Sequence, residues 1–143
     1  TPTFSAEEIA SQIERTRQSP NTLGSIFFSF KSLRNDMGGI QATLRGRVYH
    51  RDAVIPRFSW VKTGKILSPK VTLTRDLRFV RATWTERGKR KAFWFVVYAK
   101  DKDGWSYSVV PASERSIALS ADRKIENVRV TSVDRLGNES SAR

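Results

Sequence analysis

Cysteine is missing altogether, and histidine occurs once, as His50. Without cysteine there is neither a disulfide framework nor a thiolate metal site, and the redox compartment stays open. One histidine cannot build a histidine metal cluster, and no nucleophile stands beside it for an acyl-transfer pair. No metal and no cofactor is therefore expected. Long apolar runs are missing as well. The longest uncharged one, Ala92 to Ala99, falls far short of the ~20 residues of a membrane span and reads as a buried strand. The chain opens Thr-Pro-Thr, with neither an initiator methionine nor a signal-peptide pattern, and reads as an excised piece whose targeting signal lay upstream.

Acidic residues are scarce: 14 Asp and Glu face 26 Lys and Arg, a net charge of +12. Such a charge favours encounter with anionic polymers, whether nucleic acid, acidic glycan or anionic lipid surface. It also fits a plain soluble fragment from an arginine-rich proteome. At 143 residues there is room for one ordinary domain and an appendage, but not for a complete (β/α)8 barrel. Four Trp, eight Phe and three Tyr within a 38% hydrophobic composition suffice for one packed core, which argues against wholesale disorder.

A first helix, 5–18, begins at a capping box in which the Ser5 hydroxyl accepts from the Glu8 amide and the Glu8 carboxylate returns to the Ser5 amide. Phe4 is placed to staple against Ile9, and Ile9, Ala10 and Ile13 make the apolar stripe. Ser19-Pro20-Asn21 ends the helix. Residues 24–30, Gly-Ser-Ile-Phe-Phe-Ser-Phe, read as a strand buried on both faces, as in a parallel sheet. After Gly38-Gly39, Ile40, Leu44 and Val48 recur at helical spacing and predict a second helix over 39–49. Helix, strand, helix is α/β grammar, yet it occurs once, so residues 1–60 look like part of something larger.

Around Thr63-Gly64-Lys65 the chain turns polar, and beyond it the apolar period becomes two. Val71 and Leu73 mark a first strand; Val80, Ala82 and Trp84 a second; Ala92–Ala99 a third, entered through the basic tip Arg87–Lys91. Asp103-Gly104 signals a hairpin into Trp105, Tyr107 and Val109. Ile117 and Leu119, then Val128, Val130 and Ser132, then a terminal strand after Gly137-Asn138 complete about seven short strands, the pattern of a small β-sandwich over 64–143.

In order and spacing, Glu8-Ile9, Gln12-Ile13, Arg15, Gly24 and Ile26-x-Phe28-Ser29, continued by Tyr49, Ala53, Pro56 and Trp60, resemble the last barrel segment of bacterial glycosyl-hydrolase-like family 10. Val97-Tyr98 and the ending Val130-x-Ser132-x-Asp134-Arg135-Leu136-Gly137-Asn138-Glu139-Ser140 are similar to the fibronectin-III-like module that follows that barrel. The likeness spans nearly the whole chain. It implies a mainly β chain with an α/β N-terminal segment: a fibronectin-III or immunoglobulin-like sandwich preceded by a helix–strand–helix remnant of a (β/α)8 barrel. It also implies a parent exported to the bacterial cell envelope, periplasmic or lipid-anchored, that hydrolyses glycosidic bonds, with cell-wall glycan a plausible substrate. One departure is Val128, where the family has an aromatic near the start of the penultimate strand. The tyrosine corner bond is then lost and packing alone holds that corner.

Glycoside hydrolysis needs two flanking carboxyl groups. Glu7, Glu8 and Glu14 belong to a surface helix, and Asp101, Asp103 and Asp134 to sandwich turns, so no convergent pair is expected and no catalytic residue is assigned. If 24–30 is the last barrel strand, Ser29 and Lys31 lie at its C-terminal end, where barrel sites form, and would hydrogen-bond sugar hydroxyls or an acidic substituent. The competing reading has Ser29 capping the next turn and Lys31 solvated. The third strand carries Phe93, Phe95 and Val97 on one face and Trp94, Val96 and Tyr98 on the other, and only one face meets the core. The surplus face is expected to dock on the catalytic barrel missing from this piece. Alternatively Trp94, Tyr98, Trp105 and Tyr107 form a glycan-binding platform. The basic tip next to aromatics admits a nucleic-acid reading, but no base-reading motif supports it and no nucleic acid is expected.

Overall fold

The computed structural model describes residues 4–22 and 24–142. The chain divides after Asp52 into two compact units.

In the first unit, α1 spans Ala6–Gln18, α2 spans Phe30–Arg34, and α3, Ile40–Thr43, continues as a π-helical turn over Leu44–Val48. Half of the expected capping box forms. Ser5 Oγ accepts from the Glu8 amide at 3.1 Å, but the Glu8 carboxylate runs along the helix and takes hydrogens from Gln12 and Arg15 at 3.1 and 3.0 Å. Phe4 stays exposed instead of stapling. The two predicted stripes do meet: Ala10 and Ile13 of α1 pack with Ile40, Leu44 and Val48 in one buried cluster. Polar contacts reinforce that seam. Arg47 bridges Glu7 and Glu14, and Arg17 donates to the Val48 carbonyl at 2.9 Å while lying 5.0 Å over the Tyr49 ring.

The strand expected over 24–30 does not form. No described residue pairs with it, Ile26 and Phe28 are fully exposed, and Phe27 alone of the run packs on the helix cluster. A strand buried on both faces needs ladder partners for its backbone and layers above and below for its side chains. This unit supplies neither, and at Phe30 the chain turns into α2.

Among the described residues the second unit contains six antiparallel strands: β1 Lys70–Arg75, β2 Phe79–Thr85, β3 Trp94–Asp101, β4 Gly104–Pro111, β5 Ser116–Ser120 and β6 Asn127–Val133. They form two three-stranded sheets, ordered β1-β2-β5 and β4-β3-β6. The predicted period-two alternation is clearest in β2, whereas β1 is exposed apart from Val71 and residues 130–133 of β6 are buried throughout. Val80, Ala82 and Trp84 of one sheet face Phe95, Val97, Ala99, Val128 and Val130 of the other, with Ile125 closing the core. Trp84 and Phe95 meet at 5.5 Å between ring centroids, a tilted pair at the centre of the sandwich. Val128, where the resemblance predicts an aromatic, is buried among these residues. In place of a seventh strand there is a single bridge, Val133 to Glu139.

Residues 53–63, read from sequence as the end of the first segment and the linker, belong instead to the sandwich unit. The Phe58 amide donates to the Leu136 carbonyl at 3.0 Å, and Thr63 Oγ1 accepts from Asn138 Nδ2 at 3.1 Å. A segment without regular structure must find partners for its backbone outside itself, and here the turn after β6 provides one for Phe58.

Candidate functional site

Strand alternation sorts the side chains of β4-β3-β6. Odd positions of β3 fill the core, so Trp94, Val96 and Tyr98 lie on the other face, where Val96 is itself buried and only the two aromatics are partly exposed. Register then decides their neighbours. Tyr98 lies opposite Tyr107 and Arg129, and Lys100 opposite Trp105. All four aromatics nominated from sequence, Trp94, Tyr98, Trp105 and Tyr107, therefore share that outer face.

They are not equally available. Trp105 and Tyr107, on edge strand β4, are 49% and 42% exposed, whereas Trp94 and Tyr98 are half-buried. Tyr98 is also tied down. Its hydroxyl donates to Glu139 Oε1 at 2.8 Å, and Thr131 Oγ1 donates to the same oxygen at 2.5 Å. Burial, reinforced by the Glu139 carboxylate, pushes the Tyr98 phenol up to about 12, so it acts as a hydrogen-bond donor and not as a phenolate. The Arg129 guanidinium sits 5.0 Å over the Trp105 ring. The Tyr98 and Tyr107 rings lie 6.4 Å apart and tilted by 48°. Rings at that angle do not present one flat surface.

Glu139, Thr131 and Arg129 were not singled out from sequence as parts of this face. Glu139 stood in the terminal motif as a letter without a role; its partner, Tyr98, lies 41 positions earlier.

Ser29 and Lys31 lie in the other unit. Ser29 precedes α2, its carbonyl accepts from the Ser32 amide at 3.3 Å, and both side chains are exposed. With no strand before them they do not occupy a strand end; Ser29 stands at the N-cap position of α2 but its side chain makes no capping bond.

The carboxyl groups with displaced pKa values all move the same way. Gln12 holds Glu8 down, Arg47 holds Glu14 down and Arg123 holds Asp101 down. At Asp134 burial acts to raise the value, but hydrogen bonds from Asn138 and Leu136 and the charge of Arg90 outweigh it. A glycosidase acid must instead be held protonated. Among the described residues no group of three or more His, Asp or Glu is placed to hold a metal, and no helix is long and apolar enough to cross a membrane.

No protein-family model matches the chain. It is similar to a glycosyl hydrolase, YngK of Bacillus subtilis (strain 168), with 29% identity over 150 residues. The match covers 95% of this chain and 29% of the relative, so the chain spans less than a third of that protein's length.

Proposed function

We propose that the chain is the non-catalytic C-terminal part of a cell-envelope glycoside hydrolase, its fibronectin-III-like sandwich supporting a catalytic barrel whose last segment lies within residues 1–52. The observation that carries this reading is the outer face of β4-β3-β6. A sheet that already fills its core on one side leaves Trp105 and Tyr107 exposed on the other. Aromatic surface of that kind marks a contact with another protein body. The distant glycosyl-hydrolase relative and the sheet orders, which match a seven-stranded sandwich short of its last strand, support the same reading. The tilt between Tyr98 and Tyr107 weighs against a flat glycan platform. The unpaired run 24–30, with Ile26 and Phe28 outside, is what a barrel strand becomes without its neighbours.

The test uses the longer parent protein. Trp105→Ala with Tyr107→Ala is expected to lower the melting temperature of the catalytic part while the sandwich keeps its own circular-dichroism signal. Unchanged stability with weakened retention on cell-wall glycan would sink docking in favour of the platform. In parallel, the 143-residue chain is incubated with purified cell-wall glycan, and release of reducing ends by it alone would overturn the non-catalytic assignment.

A further inference from the structure

The positive charge is unevenly held. Residues 53–143 contain nineteen Lys and Arg against nine Asp and Glu, so ten of the twelve net charges belong to the sandwich unit. Several of its acids are already matched: Asp134 by Arg90, Glu86 by Lys91 and Arg115, Glu126 by Lys100 and Asp101 by Arg123. Part of the surplus collects in one place. A cleft of about 390 Å³ lies between the residues leading into β1 and the turn after β6, and a second hollow extends it to the β2–β3 connection. Arg57, Lys65 and Arg87 line the first, and Lys89 joins Lys65 and Arg87 in the second. None of these four cations has an acidic partner among the described residues. Arg90, beside them, is fixed by Asp134 at 2.9 Å and by the Gly64 carbonyl at 2.6 Å. Glu139 also borders the cleft; the neutral donors Tyr98 and Thr131 fix its carboxylate without cancelling its charge, so one acid faces the four cations.

Unmatched cations around a concavity raise the local potential, and an anion entering it relieves their repulsion. The forks of Arg57 and Arg87 suit the two oxygens of a carboxylate. No aromatic ring lines either hollow, so the stacking surfaces with which single-stranded nucleic acid is held are missing there. The neutral lining combines the apolar Ile66 and Leu67 with hydroxyl and amide groups, as at Ser68 and Asn138, of the kind that pair with sugar hydroxyls. We infer that this cleft binds a strand of acidic, carboxylate-bearing glycan, with Arg57, Lys65, Arg87 and Lys89 facing its carboxylates. The inference does not depend on the docking face, because none of the four aromatics lines the cleft.

The test measures fluorescence anisotropy of a labelled oligogalacturonate with the 143-residue chain at ~0.15 M salt. Arg57→Gln, Lys65→Gln and Arg87→Gln together are expected to weaken binding about tenfold or more. A charge-matched control, Arg78→Gln with Lys102→Gln and Lys124→Gln, lies outside the cleft and is expected to stay within about twofold. Equal losses in the two variants would overturn the site, since the charge would then act diffusely. Single-stranded DNA of the same length binding as tightly as the oligogalacturonate would overturn the glycan assignment, and absence of any binding by the unaltered chain would overturn both. If the triple variant melts early, Arg87→Gln alone, at an exposed tip, carries the comparison with an expected loss of about threefold.

Discussion

Asn138 donates to the Asp134 carboxylate from two directions, its backbone amide to Oδ1 at 3.0 Å and its Nδ2 to the two oxygens at 3.2 and 3.0 Å. The Leu136 amide adds a further bond at 2.8 Å, and Arg90 an ion pair at 2.9 Å. Asp134 is only 3% exposed, so this carboxylate organises the terminal turn from inside. The same Asn138 amide group reaches Thr63. Asn138→Ala removes the side-chain bonds to a buried charge and is expected to cost about 2 kcal/mol, whereas Asp134→Ala strands several donors and is expected to cost about 3 kcal/mol. Urea unfolding of the two variants checks the order.

Gly137 separates these partners, with φ at +72°. A Cβ there would stand 2.4 Å from the Ile55 carbonyl oxygen and 2.8 Å from that of Pro56. Both obstacles are backbone and cannot swing aside. Gly137→Ala is expected to destabilise by about 3 kcal/mol, joining left-handed strain to a forced backbone shift. Gly38→Ala, at a φ of +65° but in open space, is expected to cost only about 1 kcal/mol from strain. Thermal melting of the pair separates conformational strain from collision.

Stability should fall at both ends of the pH range, for opposite reasons. Asp101 and Asp134 have folded pKa values below their unfolded ones, so the unfolded chain takes up protons first as pH drops. Their contribution is complete above an unfolded value of about 4 and is lost progressively below it. Tyr98 is the reverse case. Its folded value of about 12 lies above the unfolded one, so its contribution is complete below about 10 and is lost as pH rises towards 12. Melting temperatures across pH check both limbs, and Tyr98→Phe is expected to flatten the alkaline one.

Trp105→Ala with Tyr107→Ala is expected to cost the isolated chain only about 1–2 kcal/mol, from the contacts of Arg129 with Trp105 and of Tyr98 with Tyr107. Phe95→Ala, at a site with no exposure, is expected to cost about 4 kcal/mol. A large loss from the exposed pair in urea titrations would mean that these rings serve the sandwich itself and not a further partner.

The N-terminal half shows how far local pattern reaches. Ser5 capping Glu8, and the stripes Ala10–Ile13 and Ile40–Leu44–Val48, were legible because helix hydrogen bonds and i, i+4 contacts lie within a few residues. The same reasoning failed at 24–30, where composition speaks for a strand but no partner holds it. It failed again at 53–63, where the Phe58 amide leans on the Leu136 carbonyl and the Thr63 hydroxyl on the Asn138 side chain 75 positions away.

In the candidate site, the sequence by itself determined which residues alternate to the outside of β3 and β4, because a strand's period of two is a property of the backbone. It also carried the letters of the terminal motif. Only the tertiary structure decided what those letters do: that Asp134 and Asn138 fasten the final turn, that Glu139 takes up Tyr98, and that Trp105 and Tyr107 are left outside. Exposure and hydrogen-bond partnership depend on which distant strands lie side by side, and register is set by the whole sheet rather than by any one segment.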